Sequence, residues 1–298
     1  MLRAAADEVG LPVLGALPRR DELAVPSRHL GLVTALEHGE AAVTAVDAMA
    51  ELVAAHVDLD AVLRLAEPLP PGPVWDPGRE CAAVPGHGSP LTAVFGGRAF
   101  TFGYAEHVEL LEAAGAEVVV VDPLRDEALP PGTAALVLPG GFPEEHVAEL
   151  GANAPLRAAV AGLAASGAPV HAECGGLLYL CRELDGAPMC GVLPAQAEMT
   201  ARLTLGYRDA VALADSPLFT TGARVAGHEF HRCSVTALPG STTAAWRWRG
   251  AEPEGCVTGG VHASFLHTHP AGRPEAVARF VAAAAGRPRP PTRTAAAT

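Results

Sequence analysis

The chain has 298 residues, 49% of them hydrophobic, enough for one large domain or two modest ones around a sizeable core. Its formal net charge of −12 disfavours nucleic acid and an anionic membrane surface as partners, because both recruit cationic patches. All 21 residues counted as lysine or arginine are arginines, and no apolar run reaches the roughly 18 residues of a membrane-crossing helix. Met1 is followed by Arg3, Asp7 and Glu8 rather than by the apolar region of a signal peptide, so the cytoplasm is the expected location. The six cysteines (Cys81, Cys174, Cys181, Cys190, Cys233, Cys256) form no CxxC pair, which points to reduced thiols rather than a zinc ribbon or a disulfide framework.

In chain order, "LPVLGALPR" (11–19) predicts a short strand, and the apolar spacing of "LVTALEHGEAAVTAVDAMAELVAAH" (32–56) predicts a helix. Residues 1–66 offer too little to close a core of their own and read as the tail of something larger. Residues 67–90 hold seven prolines and four glycines, a composition that continues neither a helix nor a central strand, and are expected to be a linker. From 91 onward strands and helices alternate: "LTAVFGG", "GYAEHVELLEAAG", "EVVVVDP", "AALVLPGG", "NAPLRAAVAGLAASG", "PVHAE" and "LLYLCREL". Such βα alternation predicts an α/β domain from 91 onward, with a mostly parallel sheet covered by helices on both faces and its sites at the carboxyl ends of strands. The polar, Pro-rich "GRPRPPTRTAAAT" (286–298) is expected to be disordered.

Cys174, followed by Gly175 and Gly176, sits between the strand "PVHAE" and the helix "LLYLCREL". A residue on such a turn projects clear of the sheet, the glycines let the chain turn without clashes, and the helix start favours a thiolate and offers N–H groups to an oxyanion. Cys174 is therefore the candidate nucleophile, while Cys181 and Cys190 read as structural thiols. A base is needed, and "VHASFL" delivers His267 at the end of a strand. A competing reading gathers His262, His267 and His269 around a metal, but Pro270 stops the strand and no fourth ligand lies nearby, so no metal is expected. His228 and His231 in "GHEFHRC" read equally as structural or as contacts to a polar substrate.

The ordered segments "PGGFPE", "AECGGLLYL", "MTARLTLGYRDA", "GHEFHRCSV" and "HASFLHTHP" resemble the class I glutamine amidotransferase domain of cobyrinate (hydrogenobyrinate) a,c-diamide synthases, the corrin-amidating enzymes of cobalamin biosynthesis. The resemblance runs from 91 to about 285. Before it, "LPVLGALPR" and "LAVPSRHLGLVTALEHGE" resemble the end of that family's ATP-dependent synthetase domain, so 1–66 is expected to be the remnant of a truncated P-loop domain. The resemblance implies a flavodoxin-like amidotransferase fold, with Cys174 as nucleophile, His267 as base, and Gly140, Gly141 and Gly175 in the turns that supply oxyanion-binding N–H groups. Many class I amidotransferases carry a glutamate two residues after the histidine; here His269 stands in that place as the candidate orienting residue. The implied substrates are glutamine and a corrinoid, and the intact family enzyme uses ATP and Mg2+. P-loop chemistry needs a lysine, so no ATP site is expected on this chain, and a separate P-loop chain or a second copy is the expected partner. Amidation of another tetrapyrrole, such as nickel sirohydrochlorin, and a degenerate, non-catalytic fragment remain as alternative readings.

Overall fold

A computed structural model describes residues 2–20, 23, 27–28, 31–32, 34–81, 83, 88–237 and 242–286. The chain divides into two compact units, Met1–Trp75 and Asp76–Thr298. The first holds α1 (Leu2–Glu8), a two-stranded ribbon of β1 (Ser27–Arg28) and β2 (Gly31–Leu32), α2 (Ala35–His38), α3 (Glu40–His56) and α4 (Leu59–Leu65). The helix expected over 32–56 is thus present, broken at Gly39, whose φ of 59° suits glycine alone. The strand expected over 11–19 is reduced to one bridge, Gly15 to Val57, because among the described residues no neighbouring strand lies beside it to complete a ladder. Neither α3 nor α4 buries a residue, and Val43 and Val46 of α3 are both 63% exposed, so among the described residues this unit has apolar stripes but no core.

The second unit opens with α5 (Pro77–Glu80), capped by the Asp76 carboxylate on Gly78 N–H, and the buried Cys81, whose thiol reaches Pro274 O. Asp76–Cys81, within the stretch read as a linker, therefore belong to the second unit. Then follow β3 (Leu91–Phe95), α6 (Ala105–Ala113), β4 (Glu117–Val121), β5 (Thr133–Leu138), α7 (Val147–Ala152), α8 (Ala154–Ala165), β6 (Val170–Glu173) and α9 (Gly175–Leu180). After these come β7 (Glu183–Leu184), β8 (Ala187–Pro188), β9 (Ala195–Ala212), β10 (Arg224–Ala237), β11 (Trp246–Arg247), β12 (Cys256–Thr258), β13 (Val261–Ser264) and α10 (Pro274–Ala285). The expected disordered tail, beyond Gly286, lies outside the described residues. No helix among the described residues is long and apolar enough to cross a membrane.

The main sheet has the strand order β12-β13-β6-β5-β3-β4, parallel throughout except for the antiparallel edge pair β12–β13. Taken in order of appearance, its parallel strands run 2-1-3-4-5, the flavodoxin-like doubly wound arrangement. Strand alternation assigns the two faces: Leu136 and Leu138 of β5 pack with Leu156 and Val160 of α8 and Leu177 and Leu178 of α9, while Ala135 and Val137 meet Leu110 and Leu111 of α6. α10 joins that second face through Ala276, Val277, Phe280, Val281 and Ala284, a stripe at helical spacing. β9 and β10 form a long antiparallel hairpin in a second sheet with β7, β8 and β11. It was not expected, because its strands mix charged, small and apolar residues without a continuous apolar run.

Gly176 sits at the start of α9 with no room for a side chain: a Cβ there would press on the Leu138 carbonyl oxygen, whereas one on Gly162 of α8 would meet nothing within 4 Å. Gly176→Ala should cost roughly 1–3 kcal/mol of stability. Gly162→Ala should be neutral or stabilise by about 0.5–1 kcal/mol, through helix propensity. Thermal melts of the two variants check this, and a Gly176→Ala protein that melts with the wild type would contradict the packing.

Candidate active site

Cys174 occupies the turn between β6 and α9 with φ 46° and ψ −100°, a left-handed conformation that costs a non-glycine residue energy and persists only where the surroundings hold it. What holds it is the sheet: Cys174 N–H donates to Ser264 O at 2.8 Å, continuing the parallel β6–β13 register in which Ser264 faces Glu173. The thiol is buried, and burial pushes its pKa well above the ordinary value, with Cys233, Glu144 and Glu173 adding to the effect and a Gly175 backbone hydrogen bond opposing it. Burial therefore outweighs the helix start, and the resting side chain is a neutral thiol rather than the thiolate expected from its position.

The glycines after β5 and β6 meet around this turn. A Cβ on Gly175 would lie 3.0 Å from the Gly141 nitrogen, and one on Gly140 only 2.6 Å from His267 Cε1. Gly141 is pinned by its approach to Ala99 O, and Phe142 N–H donates to the same carbonyl at 3.0 Å. The backbone N–H of Gly141 is thus brought beside the cysteine turn, while Gly140 gives the His267 ring the space it occupies.

His267 follows β13 and is buried. Its backbone exchanges two hydrogen bonds with His228 of β10 (3.0 and 2.8 Å), and the two imidazoles stack with centroids 4.9 Å apart at 11°. Burial lowers the His267 pKa; Glu173 pulls upward, and His228, His231 and His171 push further down. The ring is accordingly neutral, as a base must be. Among the described residues no hydrogen bond joins it to the Cys174 thiol, and the paired strands β6 and β13 bring the two to the same end of the sheet. His231 turns elsewhere: it stacks on Phe265 at 3.8 Å and approaches Glu229, which is held by Arg208 at 2.7 Å.

His269 does not reach the His267 ring. Its half-exposed side chain packs on Tyr104 (4.5 Å between centroids), faces Glu106 at 3.9 Å, and accepts Ala271 N–H. The carboxylate placed against His267 is Glu173, which sequence reasoning passed over. Glu173 Oε2 lies 3.7 Å from His267 Nδ1, and Oε1 accepts both Thr268 N–H and Thr268 Oγ1–H at 2.9 Å and lies 3.4 Å from His171 Nε2. The available signal was strand parity: Glu173 shares the face of His171 and directly precedes the cysteine. His262 diverges from the other two late histidines, packing against His171, Phe219 and Trp246, and among the described residues no group of three or more metal-ligating side chains assembles.

A cleft of about 410 Å³ opens beside His267, lined also by Tyr207, Arg208, Gly227, His228 and His269. A larger cavity of about 600 Å³ lies at the opposite edge of the sheet, by Leu91 and Thr133, and holds none of these residues.

A 2-1-3-4-5 sheet with its cysteine elbow after the fourth strand and its histidine after the fifth is the architecture of class I glutamine amidotransferases. Residues 93–275 match the model of the CobB/CobQ-like glutamine amidotransferase domain, and the chain belongs to that family. It is 57% identical over 296 residues to the hydrogenobyrinate a,c-diamide synthase of Mycobacterium tuberculosis, covering 96% of this chain and 63% of that protein. The Streptomyces coelicolor enzyme of the same name is 53% identical, with 94% and 64% covered. The cobyrinate a,c-diamide synthase of a Synechococcus species is 38% identical, with 95% and 63% covered. The chain therefore spans a little under two thirds of the length of these relatives.

Glu254 ties down the segment leading to His267: it accepts Phe265 N–H and the Ser264 hydroxyl, both at 2.7 Å. Burial pushes its pKa up to about 7, against these two hydrogen bonds and with Glu229 adding to the rise. A carboxyl whose folded-state pKa exceeds its ordinary 4.5 contributes stability below that pH and loses it as pH rises through about 7. Glu254→Gln keeps an acceptor for Phe265 and should raise Tm at about pH 8, by an amount equivalent to about 1–2 kcal/mol, with little change near pH 4. A gap of the same size at both pH values would count against this assignment.

Proposed function

We propose that the second unit hydrolyses glutamine and that the ammonia is used to amidate the a and c carboxylates of hydrogenobyrinate or cobyrinate. The observation that carries the glutaminase reading is the left-handed Cys174 at the end of β6, with Gly141 N and Gly175 packed around it. Because the thiol rests neutral, substrate binding has to coincide with proton transfer: His267 accepts the Cys174 proton as sulfur attacks the side-chain amide carbon of glutamine. The N–H groups of Gly141 and Gly175 face the developing oxyanion, the imidazolium of His267 protonates the departing ammonia, and water cleaves the thioester with His267 again as base. Relatives named hydrogenobyrinate and cobyrinate a,c-diamide synthase support the choice of a corrinoid as acceptor.

ATP and Mg2+ would activate the acceptor carboxylates, but the residues present do not fit a P-loop site. The 298 residues contain no lysine, and the described strands of the first unit are two-residue pieces. No step of activation is therefore assigned to these residues, and a chain bearing the P-loop is the proposed partner.

Cys174→Ser should abolish glutamine hydrolysis and labelling by a glutamine-analogue electrophile, and a variant that keeps most of its rate would remove Cys174 from the nucleophile's role. His267→Asn should lose on the order of 100-fold in kcat, checked by ammonia release. For the second half-reaction, thermal melts with and without Mg-ATP should coincide, and mass spectrometry should detect corrinoid diamide only once a P-loop chain is added. Diamide formed by this chain alone would overturn the division of labour.

A further inference from the structure

Resting on the glutaminase reading of Cys174 and His267, we infer that Glu173, the residue immediately before the nucleophile, is the positioning carboxylate of the base. Class I sites commonly hold a glutamate two residues after the histidine; here that place is taken by His269, whose side chain is committed to Tyr104 and Glu106. Glu173 reaches the same ring from the neighbouring strand. Its two oxygens are divided: Oε1 is saturated by both donors of Thr268 and approached by His171, which leaves Oε2 for His267 Nδ1.

This division has two consequences for His267. Gripping the backbone and hydroxyl of Thr268 fixes the residue adjacent to the base, so the imidazole cannot swing off the elbow. An ionised carboxylate only accepts hydrogen bonds, so it selects the tautomer with the proton on Nδ1 and leaves the Nε2 lone pair free to take the Cys174 proton. At 3.7 Å the contact is longer than a hydrogen bond in the resting enzyme, and it strengthens when His267 becomes an imidazolium, which is when transition-state stabilisation is needed. The carboxylate stays ionised although it is buried: burial works against ionisation, but the hydrogen bond from His171, the nearby imidazoles of His171 and His267, and Thr268 N–H hold its pKa at about 2.

Other groups face this pair. His228 and His231 of β10 act on His267 together with His171, while Tyr104, before α6, and His107, His262 and the Cys174 thiol feel the Glu173 charge. Of the groups acting on the His267 pKa, Glu173 alone raises it.

The test uses the full chain. Glu173→Gln should lower kcat for glutamine hydrolysis by at least about 100-fold, with KM little changed, because the neutral amide presents an N–H to Nδ1 and favours the wrong tautomer. NMR titration of histidine-labelled protein should show the His267 midpoint moved downward, a change that a packing defect alone does not produce. His269→Asn should leave both readouts within about threefold of wild type. If wild-type protein fails to hydrolyse glutamine, the glutaminase reading fails, while the NMR midpoint still reports on Glu173. Should Glu173→Gln not fold, Glu173→Asp and Thr268→Val take its place, each expected to lower kcat less and to move the same midpoint downward. Retained kcat with an unmoved midpoint, or a larger loss from His269→Asn than from Glu173→Gln, would overturn the inference.

Discussion

The parallel pairing of β6 with β13 is the constraint from which the placement of Cys174 and His267 follows. Val261 to Ser264 lie in register with Val170 to Glu173, and the ladder is extended by Cys174 N–H on Ser264 O. Parallel strands end at the same edge, so the two chains leave the sheet side by side, one into the cysteine turn and the other towards His267. Because side chains alternate, a slip of one residue would carry Glu173 to the opposite face and remove it from both His267 and Thr268. The same register places Ala172 and Ala263 together in the core beneath, so the hydrophobic pattern that sets the pairing also aligns the polar groups.

The electrostatics of the site are those of a dry sheet edge. His107, His262 and His267 all have their protonation suppressed by burial, with pKa values near 4 and 3 for the first two. Against this apolar background Glu173 remains charged because four groups converge on it. The cysteine has no such support, and its thiol is held neutral until something else supplies a place for the proton. In the proposed mechanism the thiol and the imidazole both rest neutral, and the pair becomes reactive only when glutamine completes the site.

The second sheet supports His267. The β10 backbone at His228 is hydrogen-bonded to that of His267 in both directions, and Gly227 allows the approach: a Cβ there would lie 2.5 Å from His267 O. With Glu254 holding Ser264 and Phe265, and Glu173 holding Thr268, the segment on either side of His267 is anchored by groups from three different parts of the chain. The histidine is therefore set by long-range contacts, although it lies in a short irregular stretch between β13 and α10.

Much of the α/β unit was legible because its signals are local. Strands such as Leu91–Phe95, Thr133–Leu138 and Val261–Ser264 are short apolar runs, most of them bounded by glycine or proline, and the Cys-Gly-Gly turn announces itself by composition. The strand expected over 11–19 failed for the complementary reason: the sequence shows an apolar run, but a strand exists only where a partner completes its ladder. The β9–β10 hairpin carried no apolar run to betray it, and His269 was assigned an orienting part from its place in the pattern that the resemblance implied, two residues after His267. Periodicity and turn chemistry act over a few residues, so the sequence by itself determined the layered fold, the Cys-Gly-Gly turn between β6 and α9 and the absence of a lysine for a P-loop. Which carboxylate meets the base, and whether the thiol is ionised, depended on burial and on contacts such as Glu173 with Thr268, 95 positions apart, which only the folded sheet brings together.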